Sequence, residues 1–183
     1  LTDHGNMFGI KEFVDYVSKV NGKVKDSVKA QQAILDNDGA TAEEKQQAEA
    51  KIGELQATIF KPIIGTEAYC AHEDCRVKDG RGWHLILLAK NKQGYKSLCK
   101  LASYAYTEGY YYTSRIDHRL LEQYHEGLIC CSACLGGEVP QKIMQGDLAG
   151  AEQSVLWFKS LFGDDYYLEL QRHKTDKPNA SYD

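Results

Sequence analysis

From about residue 60 onward, short apolar runs alternate with segments of helical periodicity. The apolar runs lie at residues 61–69, 84–90, 127–134 and 166–173, and predicted helices lie at 95–106, 117–124, 139–144 and 148–162. Strands that alternate with helices at this spacing are typical of α/β domains. The sequence therefore predicts an α/β fold with a mostly parallel sheet that is either open or closed into a barrel.

The chain contains neither of the glycine-rich phosphate-binding motifs, the dinucleotide kind or the P-loop kind. This absence favours a barrel whose functional site is built from side chains at the ends of strands. The chain opens on LTDHGNMFG, which is typical of a strand end followed by a loop, and helical spacing begins at Ile10. Because the strand that should lead into this loop is absent, we expect an interior part of a longer protein, with the barrel unclosed at both ends.

Residues 23–58 form a polar stretch with few apolar positions, spaced three, four or seven apart. Gly22 is predicted to end the first helix, and residues 37–41 are predicted to form a turn that contains Gly39. Thr41 and Glu44 have the spacing of a capping box at the start of a second helix. We therefore predict an inserted helical hairpin with a thin apolar stripe and no chemical role.

Composition limits the class of protein. The 183 residues are 43% hydrophobic and 26% charged, with a formal net charge of −4. These values predict one soluble globular domain without a membrane span. The net charge gives no sign of a basic surface for binding nucleic acid. The six cysteines are scattered, which suits a reducing cytoplasm better than a secreted disulfide scaffold.

Polar residues at three predicted strand ends could hold a metal ion. His4 follows the implied first strand, Glu67 ends the second and Cys134 ends the strand at 127–134. Imidazole, carboxylate and thiolate groups bind zinc, manganese or iron. The alternative is that His4 is a hydrogen-bonded structural residue and Cys134 a small buried hydrophobe. His84 begins its strand, so a parallel sheet would place it at the opposite rim from Glu67.

Two other cysteine sites remain open. Cys131 and Cys134 have the spacing of a redox pair, although Cys131 lies inside an apolar run. Cys70, His72 and Cys75 could form half of a zinc knuckle, without a second half at a fitting spacing. His118 and His125 are predicted to be surface residues.

Several motifs in register resemble one known family. LTDHGNMFG, KPIIGTEAY, HLILLAKNKQGYKSLCKLAS, EGYYY with RID, EGLICCSACLGGEVP and YYLELQRH resemble, in this order, the N-terminal PHP domain of bacterial replicative DNA polymerase III alpha subunits. The resemblance covers nearly the whole chain, residues 1–183, apart from the hairpin. It implies a distorted TIM-like barrel, incomplete at both ends here, with a multinuclear metal cluster at its mouth.

The resemblance also implies the ligands of that cluster. His4, Glu67, His84 and Cys134 match family positions that bind divalent transition metal ions (zinc, manganese or iron), and Asp3 would orient His4 from behind. The remaining ligands would lie outside these residues.

The implied function is DNA replication in the cytoplasm by a DNA-directed DNA polymerase, a nucleotidyltransferase, with DNA and other holoenzyme subunits as partners. Within it, this domain is a candidate metal-dependent 3′–5′ exonuclease. One alternative is a metal-free PHP module that braces the polymerase. Another is a free-standing PHP phosphatase.

Overall fold

Six strands and six helices make up residues 1–171, the part of the chain that the computed structural model describes. The strands are β1 (Thr2–His4), β2 (Gly65–Cys70), β3 (Trp83–Ala89), β4 (Arg115–Ile116), β5 (Leu128–Cys131) and β6 (Tyr166–Tyr167). The helices are α1 (Ile10–Leu35), α2 (Ala42–Ala57), α3 (Lys92–Thr107), α4 (His118–Tyr124), α5 (Glu138–Met144) and α6 (Leu148–Phe162). The α/β class is confirmed. The last predicted strand ends at Tyr167, and its final two positions, Arg172 and His173, lie outside the described residues.

The sheet is mixed: five of its six strands point the same way, as the prediction of a mostly parallel sheet requires, and only β3 is reversed. Its order is β1-β2-β3-β5-β6, and β4 pairs with β2 beyond the stretch that β1 occupies. β3 runs antiparallel to both of its neighbours, β2 and β5. The reason is that residues 71–82, between β2 and β3, form an irregular loop instead of the helix that a parallel crossover uses. Within residues 1–171 the sheet does not close, in agreement with an incomplete TIM-like barrel.

The core of this part of the chain lies between the sheet and helices α3, α4 and α6. Its largest apolar side chains are almost fully buried: Leu85, Leu87, Leu98, Leu101, Leu120, Leu121 and Phe158. A side chain caps the first turn of each of these helices, because Asn91, Asp117 and Asp147 each accept a hydrogen bond from a backbone N–H three residues on. None of the helices described here is both long and apolar enough to cross a membrane.

Residues Gly9–Ile63 form a compact unit of their own, distinct from the unit made by Leu1–Phe8 and the chain from Ile64 onward. In the unit formed by Gly9–Ile63, α1 continues through Gly22, so the prediction that this glycine ends the helix is wrong. A glycine inside a helix lowers stability by only about 0.5–1 kcal/mol, which the contacts of α1 with α2 offset. The predicted capping box of Thr41 and Glu44 is confirmed, with Gly39 in the turn before it.

Helices α4, α5 and α6 meet at one buried carboxylate. Glu138, which begins α5, accepts hydrogen bonds from Lys142 Nζ at 2.8 Å and Ser154 Oγ at 2.6 Å. His118 Nε2 lies 3.4 Å from the other carboxylate oxygen. Burial alone would raise the pKa of Glu138, but these three neighbours outweigh it and lower the pKa to about 2.

His118 is therefore not the surface residue that the sequence predicts. Its ring stacks on Trp157 at 3.7 Å and its side chain is only 33% exposed. His125 is also partly buried: its ring meets that of Phe162 edge-on at 6.0 Å, and its Nδ1 lies 3.0 Å from the carbonyl oxygen of Glu122.

Gly22→Ala should stabilise α1 by about 0.5–1 kcal/mol, because no atom lies within 4 Å of an added Cβ and alanine loses less backbone entropy. Amide hydrogen exchange across α1 measures the change. Unchanged or faster exchange would contradict a helix that is continuous through this position.

Glu138→Gln should lower the free energy of unfolding by about 1–3 kcal/mol at pH 7. The ordinary pKa of 4.5 falls to about 2 in the fold, so the ionised carboxylate stabilises the protein above pH 4.5. That stabilisation is lost as the pH falls from 4.5 towards 2. Denaturant unfolding at several pH values checks this.

The difference between Glu138→Gln and the parent should shrink across that same pH range. Glu152→Gln, at an exposed position of α6, is the matched control and should unfold like the parent at every pH. A difference that does not vary with pH would contradict the role given to the charge.

Candidate metal centre

The register of the first three strands places three predicted ligands on one face of the sheet. His4 of β1 pairs directly with Glu67 of β2, and Glu67 pairs with Ile86 of β3. His84 lies two residues before Ile86, so it is the diagonal neighbour of Glu67 on the same face. Side chains from β1, β2 and β3 therefore meet beside Glu67.

Glu67 lies between the two histidines. Its side chain is 11% exposed, and its Oε1 atom is 2.9 Å from His84 Nδ1. Its Oε2 atom contacts Nδ1 of His4, whose side chain is 77% exposed. One carboxylate thus has a separate imidazole on each oxygen, one partly enclosed and one open to solvent.

Cys134 reaches the same place from the loop after β5. β5 ends at Cys131, so Cys134 does not end a strand as predicted; the chain turns at Ala133, which has a φ of 62°. The Sγ atom lies 3.5 Å from His84 Nδ1 and accepts a hydrogen bond from the backbone N–H of Gly136 at 3.4 Å.

Two consecutive glycines hold this loop against β3. The backbone N–H of His84 donates to the carbonyl oxygen of Gly136 at 2.9 Å, and His84 forms an isolated parallel bridge with Gly137. A Cβ atom at Gly136 would lie 2.9 Å from His84 Nδ1, and one at Gly137 would lie 2.1 Å from the carbonyl oxygen of Ser132. The close approach of the loop to the site therefore requires residues without side chains.

The ligand atoms of Glu67, His84 and Cys134 all lie within 4.8 Å of one another. Two ligands of one ion at about 2.0–2.3 Å are separated by no more than about 4.6 Å, so small side-chain movements suffice to share an ion. The donor types also suit zinc, manganese or iron. His4 is not in this mutually close group, but it contacts Glu67.

The structure resolves the difficulty with His84. A parallel β3 would have placed its first residues at the far rim, whereas the antiparallel β3 brings them beside the end of β2. Glu67 lies in the middle of β2, which continues to Cys70, and does not end the strand as predicted. Asp3 pairs with Thr66, whose Oγ1 donates to the Asp3 carbonyl oxygen at 3.2 Å.

The alternative cysteine sites have less support. Burial raises the pKa of the Cys131 thiol, opposite to the shift that activates a redox cysteine. Cys70 and Cys75 are buried in the core, and the ring of His72 packs 4.2 Å from that of Trp83.

A second group of possible ligands, Asp74, Cys75 and Asp117, serves the fold. Asp117 caps α4 through Leu120 N at 2.8 Å and accepts from Cys75 N at 3.1 Å. Burial, together with a hydrogen bond to Asp117, raises the pKa of the Cys75 thiol to about 12.

Tyr69 is a residue beside the site that sequence reasoning missed. Its ring meets the His84 ring edge-on at 5.2 Å between centroids. Burial, and to a smaller extent the charge of Glu67, raises the pKa of Tyr69. Its position two residues after Glu67, on the same face of β2, was the available signal.

The relatives of this chain are long proteins. It is 46% identical over 178 residues to the DNA polymerase III subunit alpha of Borreliella burgdorferi, a match that covers 94% of this chain and 12% of the relative. It is 38% identical over 181 residues to the protein of the same name from Deinococcus radiodurans, covering 94% of this chain and 11% of that relative. The chain therefore spans about an eighth of the length of these curated relatives.

A family model matches almost the whole chain. The model described as the PHP domain matches residues 1–173. This range includes all the strands and helices described above and all four predicted ligands. The chain belongs to the PHP domain family.

Proposed function

We propose that this chain is the PHP portion of a DNA polymerase III alpha subunit, acting in cytoplasmic DNA replication with DNA and other holoenzyme subunits. Residues 1–183 would then be part of one PHP domain, with 23–58 as a helical-hairpin insertion. Its site at Glu67, His84 and Cys134, with His4 beside it, binds divalent transition metal ions and hydrolyses phosphodiester bonds at a DNA 3′ end. The similarity to the alpha subunits supports the first part.

The separation of the three donor atoms, 4.8 Å or less, is the observation that carries the metal proposal. Carboxylate, imidazole and thiolate are all metal-binding groups, and two of these three side chains are only partly buried, so they remain accessible to an ion. Bound there, divalent ions supply Lewis acidity towards a phosphate and an activated water molecule.

Each ligand has a distinct role in this arrangement. Glu67 presents one oxygen to His4 and the other to His84, so it would hold an ion together with either histidine. The Gly136 loop holds His84 through its backbone and Cys134 through its sulfur. His4 faces solvent, where a substrate phosphate arrives. Ligands from outside these residues complete the cluster, and Asp3 supports His4.

A metal-free bracing module is the second candidate. In its favour, Glu67 already contacts both histidines, and these contacts satisfy the carboxylate without an ion. The two candidates differ in one measurable property, the metal content of the purified protein.

In the full-length protein, His84→Ala should reduce metal affinity by about tenfold or more, because it removes a ligand that contacts both Glu67 and Cys134. His4→Ala should abolish metal-dependent removal of nucleotides from a DNA 3′ end and leave most polymerisation intact. Metal analysis by mass spectrometry, paired exonuclease and polymerase assays, and a melting curve for each variant measure these effects.

His125→Ala changes a histidine outside the group of candidate ligands and is the matched control, with metal content and exonuclease activity like those of the parent. A parent protein that carries metal but lacks exonuclease activity would contradict the catalytic proposal. A parent protein without bound transition metal would favour the bracing module.

Gly137→Ala should displace the loop that carries Cys134, because the added methyl group would lie 2.1 Å from the Ser132 carbonyl oxygen. We expect a loss of about 1–3 kcal/mol in stability and weaker metal binding. Thermal unfolding with and without added metal measures both. Gly22→Ala is the matched glycine substitution and should leave metal binding unchanged. Equal metal binding by Gly137→Ala and the parent would show that the loop does not position Cys134.

A further inference from the structure

Four aromatic rings, one that follows β1 in the chain and three at or after the end of helix α3, are exposed to solvent. Phe8, Tyr106, Tyr110 and Tyr112 have exposed fractions of 78%, 42%, 59% and 72%. The Tyr106 ring is 6.0 Å from those of Phe8 and Tyr110, and it is nearly parallel to Tyr110, at 19°. We call these four residues the aromatic strip. Large rings that are exposed in this way offer flat apolar surfaces to a binding partner and do not pack in the core.

Tyr112 is held in an unfavourable backbone conformation while its ring faces solvent. Its φ is 59°, in the left-handed region that a bulky residue rarely adopts. The ring of Tyr111 packs against it at 4.5 Å. This backbone conformation costs stability, and the exposed tyrosine ring does little to offset that cost. Strained backbone of this kind clusters at binding sites.

Buried Arg115 holds in place the loop that carries the basic residues Lys78 and Arg81. Its guanidinium group is 1% exposed and binds the carbonyl oxygens of Cys75, Val77 and Gly80 at 2.6–2.8 Å. It also pairs with Asp79 at 3.0 Å, which neutralises that carboxylate. These contacts hold the backbone of the loop at residues 75–81 in one conformation.

The charges left exposed on this loop are basic. Lys78 and Arg81 line a concavity of about 300 Å³ together with Tyr111 and Tyr112. Asp79 also lines it, but Arg115 pairs with that carboxylate. In a chain with a formal net charge of −4, the edge formed by Lys78 and Arg81 is complementary to a polyanion.

Two short connections join the strip to the candidate metal centre. Ser114, which follows the tyrosines, donates a hydrogen bond from Oγ to the carbonyl oxygen of Gly5, the residue after His4. Asn6 donates to the His4 carbonyl oxygen at 2.8 Å and accepts from the backbone N–H of Phe8 at 3.0 Å. Asn6 therefore links the backbone of His4 to the backbone of Phe8.

We propose that the aromatic strip and the edge formed by Lys78 and Arg81 bind single-stranded DNA and lead its 3′ end to His4. Bases stack on the rings, and the two basic side chains contact the phosphates. Sequence-independent binding of single strands uses this combination of aromatic rings and basic side chains. The placement of the DNA 3′ end at His4 rests on the proposed function, whereas the binding of single-stranded DNA to the strip does not.

Photocrosslinking in the full-length protein tests the proposal directly. An oligothymidylate carries 5-iododeoxyuridine near its 3′ end and phosphorothioate linkages that resist hydrolysis. Trypsin cuts after Lys100 and Arg115, so one peptide, residues 101–115, carries Tyr106 and Tyr110–Tyr112. We expect the DNA adduct on this peptide.

Tyr112→Gly removes the ring and suits the left-handed backbone, so it should fold at least as stably as the parent. We expect it to lower the yield of the adduct about fivefold or more, and Tyr112→Phe to keep the yield. Tyr16→Ala, at an exposed tyrosine of α1, is the control that leaves the yield unchanged. Melting curves of all variants accompany the measurement.

A parent-like yield in Tyr112→Gly, or the absence of an adduct on peptide 101–115, would overturn the proposal and favour a protein partner for the strip. Labelling by oligouridylate but not by oligothymidylate would also overturn it. Hydrolysis of bis(p-nitrophenyl) phosphate by the parent protein reports the metal centre separately. An adduct without that hydrolysis would refute the proposed function and leave the binding surface established.

Discussion

The antiparallel pairing of β2 with β3 is the constraint on which the candidate site depends. It makes His84 a cross-strand neighbour of Glu67, and the parallel pairing of β1 places His4 on the other side of the same residue. A shift of one residue in either register would move a histidine to the opposite face of the sheet. The backbone hydrogen bonds of three strands therefore determine which side chains meet.

Loops contribute the parts that the sheet cannot supply. The Gly136–Gly137 turn brings a thiol to the site, and Arg115 organises a loop of irregular backbone by donating to several carbonyl oxygens. An arginine suits this position because its guanidinium group has five donors in a fixed plane, whereas a lysine has one flexible ammonium group. The irregular segments around the site are thus ordered by a few buried polar contacts.

Local signals in the sequence predicted most of the elements but not the reversed direction of β3. The periodicity of 148–162 matched α6, and Thr41 with Glu44 marked the start of α2. The reversal of β3 depends on a loop without periodicity, and no local pattern reports it. His118 appeared polar and exposed because its partners, Trp157 and Glu138, are distant in sequence.

Resemblance, not spacing, supplied His84 as a ligand. The residues themselves indicated His4, Glu67 and Cys134 as donors, but the assumed parallel sheet placed His84 at the wrong rim. The aromatic strip was also invisible to sequence reasoning, because a run of tyrosines is as compatible with a core as with a surface. Only the exposed fractions distinguish the two.

The burial of most cysteines has a consequence for oxidative stress. Burial raises the thiol pKa of Cys70, Cys75, Cys130 and Cys131, and peroxide attacks the thiolate form. These four sulfurs are therefore poor targets for sulfenic acid formation. Cys99 is exposed on α3 and Cys134 is half-buried beside His84. An oxidant would reach the sulfur at the candidate metal centre before those in the core, so damage would affect the site while the fold stays intact.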